Sequence, residues 1–149
     1  MSTVQQRPKP VNSPSSPLKI VRIITALQVM RLAGIQLFIK GQAGIFPGYF
    51  AYPFGTGDLF VGLLAVPIAY SLRTGGIRKY ALAIAWNSVG LADLLFASTV
   101  ASYGGLNPTI MTDLQTALVV VPVSIILHIL TIALLLTNPL KQLFSQTKQ

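Results

Sequence analysis

The sequence has no cysteine, three acidic residues, one histidine and one tryptophan. Each scarcity excludes a class of chemistry. Without cysteine there is no disulfide, no thiolate nucleophile and no Cys-ligated metal or cluster. One histidine falls short of the ligand count of an ordinary metal site. A b-type haem would need a second axial ligand, from Met30 or a second copy of His128. Ser124, His128 and Asp93 are hydrolase residue types, but no G-x-S-x-G elbow accompanies them, and no P-loop or dinucleotide fingerprint occurs. No catalytic group and no cofactor follow from these residues. Charge itself is scarce. Only 9% of residues are charged, against about a quarter in soluble domains.

Apolar length is what the chain has instead. Hydrophobic residues make up 52% of 149, enough for one domain with lipid as the solvent for part of its surface. The net charge of +8 does not indicate nucleic acid. The basic residues form short clusters between apolar runs rather than a basic face interleaved with aromatics.

The expected fold is all-α, a four-helix transmembrane bundle over 19–137, with helices at about 19–40, 56–72, 80–101 and 112–137. Residues 1–18 are polar and carry Pro8, Pro10, Pro14 and Pro17, which predicts a disordered tail with no signal-peptide core. Residues 138–149 read as a short polar tail. The connection 41–57 contains Pro47, Pro53 and five glycines, so it reads as a surface loop. Its Phe46, Tyr49, Phe50, Tyr52 and Phe54 suit a membrane interface. Pro122 predicts a kink in the fourth helix.

The basic residues orient the chain. Arg7, Lys9, Lys19 and Arg22 precede the first span, Arg73, Arg78 and Lys79 lie between the second and third, and Lys141 and Lys148 follow the fourth. The positive-inside rule therefore places both termini and the middle turn in the cytoplasm, across a bacterial inner or internal membrane.

Against this apolar background the polar residues at depth stand out. A central Arg such as Arg31 costs roughly 3 kcal/mol on insertion scales, which the many Ile and Leu can offset but which disfavours a lipid-facing position. Counted at ~1.5 Å per residue from the cytoplasmic end of each span, Arg31, Asp58, Asp93 and His128 fall within roughly 8 Å of one level. Asn87 lies slightly lower. Gln28, Arg31 and Gly34 share a spacing of three on the first span. Asp58, Gly62, Ala65 and Ala69 form a small-residue stripe on the second. Trp86, Gly90, Asp93 and Ala97 share a face on the third, and Ser124, His128 and Thr131 on the fourth. The expectation is a polar centre of Arg31, Asp93, His128, Asn87 and Asp58, built on a buried Arg31–Asp93 pair.

Each of these residues also has an ordinary structural reading. Asp58 and Asp113 have the position of first-turn acids, stabilised by a helix N-terminus. His128 can serve as an interhelical hydrogen-bonder, and Arg31–Asp93 as a pair that only fixes packing.

The segments F-A-Y-P-F-G-T-G-D-L-F-V-G-L-L-A (50–65) and A-I-A-W-N-S-V-G-L-A-D-L-L (83–95) resemble a group of small bacterial integral membrane proteins with four predicted spans and no established activity. R-L-A-G-I-Q-L-F-I-K-G-Q (31–42) and G-D-L-F-V-G-L-L (57–64) also resemble the DoxX-like four-helix membrane proteins. Asp58 stands where a Glu is usual there, no Lys follows Gly41, and the glycine spacing is one residue short. That resemblance implies a loose link to redox and quinone chemistry, with His128 and Trp86 near a head group, and carries no catalytic residue.

Three roles follow: a protein that binds or moves a small solute or a proton at the polar centre, a non-catalytic accessory or assembly protein whose Arg–Asp pair is structural, or a quinone-binding redox partner. None requires an enzyme. The expected partners are the lipid bilayer and, because so small a bundle encloses no wide pore, a second copy or another membrane protein.

Overall fold

The structure is a computed structural model and describes residues 16–74, 76–104 and 115–146. It is all-α, with no strand among the described residues. Helix α1 (Ser16–Leu27) runs into a 3-10 stretch (Gln28–Gly34) and on into α2 (Ile35–Gln42). The three form one rod, Pro17–Gln42, of 26 residues. Helix α3 (Gly48–Ser71) ends in a 3-10 turn to Thr74, and α4 spans Ile77–Tyr103. Helices α5 (Gln115–Leu135) and α6 (Asn138–Gln146) complete the chain.

Three rods, Pro17–Gln42, Gly48–Thr74 and Ile77–Tyr103, are long and apolar enough to cross a membrane. The two of 27 residues reach about 40 Å, more than a hydrocarbon core of about 30 Å. The fourth, Val119–Leu135, qualifies only together with α6, from which a 66° bend separates it. Their outer faces carry Ile23, Leu63, Phe96, Val119 and Ile126, all more than 60% exposed. Water would not tolerate this surface, and lipid would. By length and composition these helices suit a membrane protein.

The rods pack as a closed ring, first on second, second on third, third on fourth and fourth on first. Small residues set the closest approach. A Cβ on Gly62 would stand 2.9 Å from the Leu32 backbone nitrogen, so at this crossing the second helix lies directly on the first.

Along the bundle axis the interior has three layers. Leu18, Val21, Val61, Ala65, Leu72, Trp86, Leu135, Leu140 and Phe144 fill the end that carries the basic residues. Phe46, Phe50, Ala51 and Phe54 fill the other end. Between them lies a belt of buried polar groups: Thr25, Gln28, Arg31, Asn87, Ser124, His128 and Thr131.

Several boundaries differ from expectation. The first helix begins at Ser16, inside the expected tail 1–18, because Leu18 and Val21 pack into the core. The predicted loop 41–57 survives only over 43–47, and α3 starts at Gly48 rather than near 56. Phe46, Phe50 and Phe54 recur every four residues, and all three are buried. Their rings meet in sequence in tilted pairs, 6.0 Å and 4.9 Å between centroids, and Phe54 meets Phe96 at 5.6 Å. Three such contacts at about 0.5–1.5 kcal/mol each offset an interior proline such as Pro53, which costs about 3 kcal/mol.

The expected tail 138–149 is helical to Gln146. Pro139 lies in its first turn, where a missing N–H costs nothing. Leu140 and Phe144 are buried, and Phe144 meets Tyr80 at 5.5 Å. The fourth helix continues through Pro122. The expected disorder of 1–15, the first-turn reading of Asp113 and most of the 102–113 connection lie outside the described residues.

Candidate functional site

The belt is organised around Arg31. Its 3-10 setting explains the spacing noticed in the sequence. Three residues per turn stack Gln28, Arg31 and Gly34 in line, and all three are buried. A regular α-helix would rotate the third of them off that face.

Arg31 uses all three of its nitrogens. Nε donates to Asp58 Oδ1 at 2.6 Å, Nη2 donates to Asp93 Oδ2, and Nη1 donates to the Gly90 carbonyl at 3.2 Å. The Arg31 side chain is fully inaccessible, while the two carboxylates are each 20% accessible. One guanidinium thus bridges an aspartate from each of two helices, and the cluster is a triad rather than a pair. Asp58 is no first-turn acid. It lies more than two turns inside α3, and the early start of that helix overturns the N-terminal reading.

Glycines make the seats. A Cβ on Gly57 would fall on the Asp93 carboxylate, and one on Gly34 would fall on the Asp58 side chain. A Cβ on Gly90 would meet the His128 ring and Arg31 Nη1. The first, second and third rods each give up a side chain to let charged or aromatic groups in.

Beside the triad, His128 Nδ1 lies 2.9 Å from Asn87 Oδ1, and Asn87 Nδ2 donates to the Ala83 carbonyl at 2.8 Å. The amide nitrogen must be the group facing that carbonyl, so Asn87 offers His128 an acceptor. Neutral His128 therefore carries its proton on Nδ1, and Nε2 is a bare acceptor. The Trp86 ring packs edge-on against His128 at 5.5 Å. Gln28 Nε2 donates to the Ser124 carbonyl at 3.2 Å. Among the described residues, five buried side-chain atoms in or beside this belt have no hydrogen-bond partner: Thr25 Oγ1, Gln28 Oε1, Trp86 Nε1, Ser124 Oγ and His128 Nε2. Groups of this kind normally find a partner, often an internal water.

A cavity of about 90 Å³ descends to the triad from the end of the bundle that holds the 43–47 turn. Phe46, Phe50, Phe54, Leu37, Leu94 and Val120 wall it, Lys40 lies among its lining residues, and Asp58 and Asp93 form its floor. Lys40 Nζ sits 5.7 Å from the centre of the Phe46 ring. Neither His128 nor Trp86 lines this cavity.

The structure thus brings Arg31, Asp58, Asp93, Asn87 and His128 into one belt, with the first three in direct contact. Sequence reasoning missed the aromatic wall and the seat at Gly57. The four-residue recurrence of Phe46, Phe50 and Phe54 was the available signal for the wall. Among the described residues no cluster of His, Cys, Asp and Glu could hold a metal ion.

Residues 6–136 match the family described as Domain of unknown function (DUF8737). The chain belongs to that family. The DUF8737 description assigns no activity, so the chemistry of the belt has to be argued from its own geometry. No curated protein and no solved structure matches the chain.

Proposed function

We propose that this DUF8737 protein crosses the membrane four times, with its basic end cytoplasmic, and binds a small amphipathic cation in the aromatic cavity above the triad. The observation that carries this reading is the asymmetry of the floor. Arg31 is inaccessible and every nitrogen it has is engaged, so it offers nothing to an anion. The partly accessible groups are two carboxylates, and each keeps one oxygen outside its contact with Arg31. At the floor, two aspartates against one arginine leave a formal charge of about −1; Lys40 lines the cavity nine residues further along the first rod, beside the Phe46 ring, and a single positive charge at the floor would neutralise the excess there. Three phenylalanines line the walls, and aromatic rings attract cations and accept an apolar body.

A proton is the smallest such cation, and its uptake by the carboxylates belongs to the same reading. Net movement across the bilayer would call for a second copy, since one bundle of this size encloses no wide pore. The distribution of basic residues supports both termini being cytoplasmic, and the likeness to small bacterial membrane proteins supports a bacterial inner membrane. The quinone reading has less to stand on, because His128 and Trp86 lie outside the cavity.

The test is a matched set of probes with one apolar body: benzylammonium, benzyl alcohol and benzoate. Thermal stabilisation of the detergent-solubilised protein is followed for each, with Asp58→Asn and Asp93→Asn as variants. Stabilisation by benzylammonium alone, weakened in both variants, is expected. Binding of the alcohol or the benzoate instead would overturn the charge argument. If no probe binds and the variants also leave a proton-coupled signal in proteoliposomes unchanged, the site is a packing device only.

A further inference from the structure

The basic end of the bundle holds a second depression, between α1 and α3, of about 410 Å³. Lys19, Arg22 and Arg73 line it together with Ile23, Val66 and Tyr70. It lies apart from the triad, with which it shares no lining residue.

Three cationic residues line it, and no acid among the described residues pairs with any of them. Two are held in place. Arg22 donates through Nε to the Ala69 carbonyl at 3.3 Å, a bond that does not involve its terminal nitrogens. The Arg73 guanidinium lies 4.5 Å from the centre of the Tyr70 ring. Like charges brought together without a counter-charge repel, and the arrangement is stable only with an anion or a strongly solvating phase beside it. The rest of the depression is apolar and faces outward. Ile23 is 61% exposed, Val66 54% and Tyr70 64%. A free inorganic ion has no use for such walls, but an acyl chain does. A tyrosine beside basic side chains at the end of a span is also the composition of a headgroup-level surface.

We infer that this groove is a binding site for an anionic phospholipid, with the headgroup phosphate between Lys19, Arg22 and Arg73 and an acyl chain lying along Ile23 and Val66. The site is independent of the function proposed for the triad.

The experiment is native mass spectrometry of the full chain purified in mild detergent and exposed to micelles of phosphatidylglycerol or of phosphatidylcholine at equal mole fraction. Preferential retention of phosphatidylglycerol is expected. Basic residues at a membrane surface contribute roughly fivefold each in affinity, so the variant Lys19→Gln/Arg22→Gln/Arg73→Gln should lose about 100-fold. The variant Arg78→Gln/Lys79→Gln removes charge outside the groove and should keep the preference. Tens of millimolar inorganic phosphate should not displace the lipid. Equal retention of the two lipids would overturn the proposal. So would an equal loss in the Arg78/Lys79 variant, which would mean diffuse electrostatics, or displacement by phosphate alone, which would mean a site for the free ion. The three groove positions lie at the surface end of the bundle, and elution of the variant as a monodisperse peak establishes that it folds.

Discussion

Removing Arg31 and removing one of its aspartates should have very different costs. Asp93→Asn leaves Arg31 paired with Asp58 at 2.6 Å, so the belt becomes neutral. The variant loses one charge-assisted hydrogen bond, about 1.5–3 kcal/mol. It also loses the repulsion between two carboxylates and the cost of burying one of them, so the net destabilisation should be about 1 kcal/mol. Asp58→Asn should behave alike. The double variant Asp58→Asn/Asp93→Asn strands a fully buried guanidinium and should cost about 3–5 kcal/mol. Arg31→Met strands two carboxylates and should cost as much. The two aspartates are therefore coupled by about 1–3 kcal/mol.

One further comparison separates a triad from a pair. If Arg31 and Asp93 formed an isolated pair, Arg31→Met/Asp93→Asn would restore stability. In the triad it leaves Asp58 without a counter-charge, and only the addition of Asp58→Asn should bring stability to within about 2 kcal/mol of the starting protein. The assay is reversible unfolding in mixed micelles. The chain has a single tryptophan, and Trp86 packs edge-on against His128 of the belt, so its emission reports the loss of this layer. Additive effects of the two Asp→Asn changes, or full stability of Arg31→Met/Asp93→Asn, would refute the reasoning.

Two further predictions concern packing and orientation. Gly90→Ala places a methyl against the His128 ring and Arg31 Nη1 and should cost about 1–3 kcal/mol; a neutral result in the same unfolding assay would mean that the third and fourth helices do not meet there. The absence of cysteine allows single-cysteine mapping without a prior cysteine-free variant. With the basic end cytoplasmic, Ile45→Cys and Tyr103→Cys should react with an impermeant maleimide on intact cells, and Thr74→Cys and Lys141→Cys only after lysis. Labelling of Ile45→Cys and Thr74→Cys from one side would exclude the proposed topology.

The parts of the belt legible in the sequence are those fixed by depth. Arg31, Asp93 and His128 interrupt long apolar runs, and a helix advances about 1.5 Å per residue, so counting alone brought them level. Asp58 comes level by the same count, and only its ordinary reading as a first-turn acid fails, because its helix starts at Gly48 rather than near 56. Glycine and proline act through local backbone preference, which is what a sequence displays directly. The ring contacts that carry α3 back to Gly48 include Phe54 against Phe96 on another helix, and tertiary packing of this kind overrides local preference. The same holds for α6, whose short apolar face has meaning only where Leu140 and Phe144 meet the core. The spacing of Gln28, Arg31 and Gly34 was visible, but it is the repeat of a 3-10 helix and not of an α-helix.

The stoichiometry of the triad bears on what the belt is for. A centre that only fixes packing is served by one arginine and one acid, which neutralise each other. A second, part-buried carboxylate adds a like charge that the pairing with Arg31 does not neutralise. Room has been made for it: Gly34 and Gly57 lack the side chains that would collide with Asp58 and Asp93. The cavity then ends at these two carboxylates and not at the arginine or the histidine. An excess acid, seated by glycines and reached through an aromatic cavity, is the observation on which the proposed binding of a cation or a proton rests; equal stability and equal probe binding in Asp58→Asn and the starting protein would leave the centre with a packing role alone.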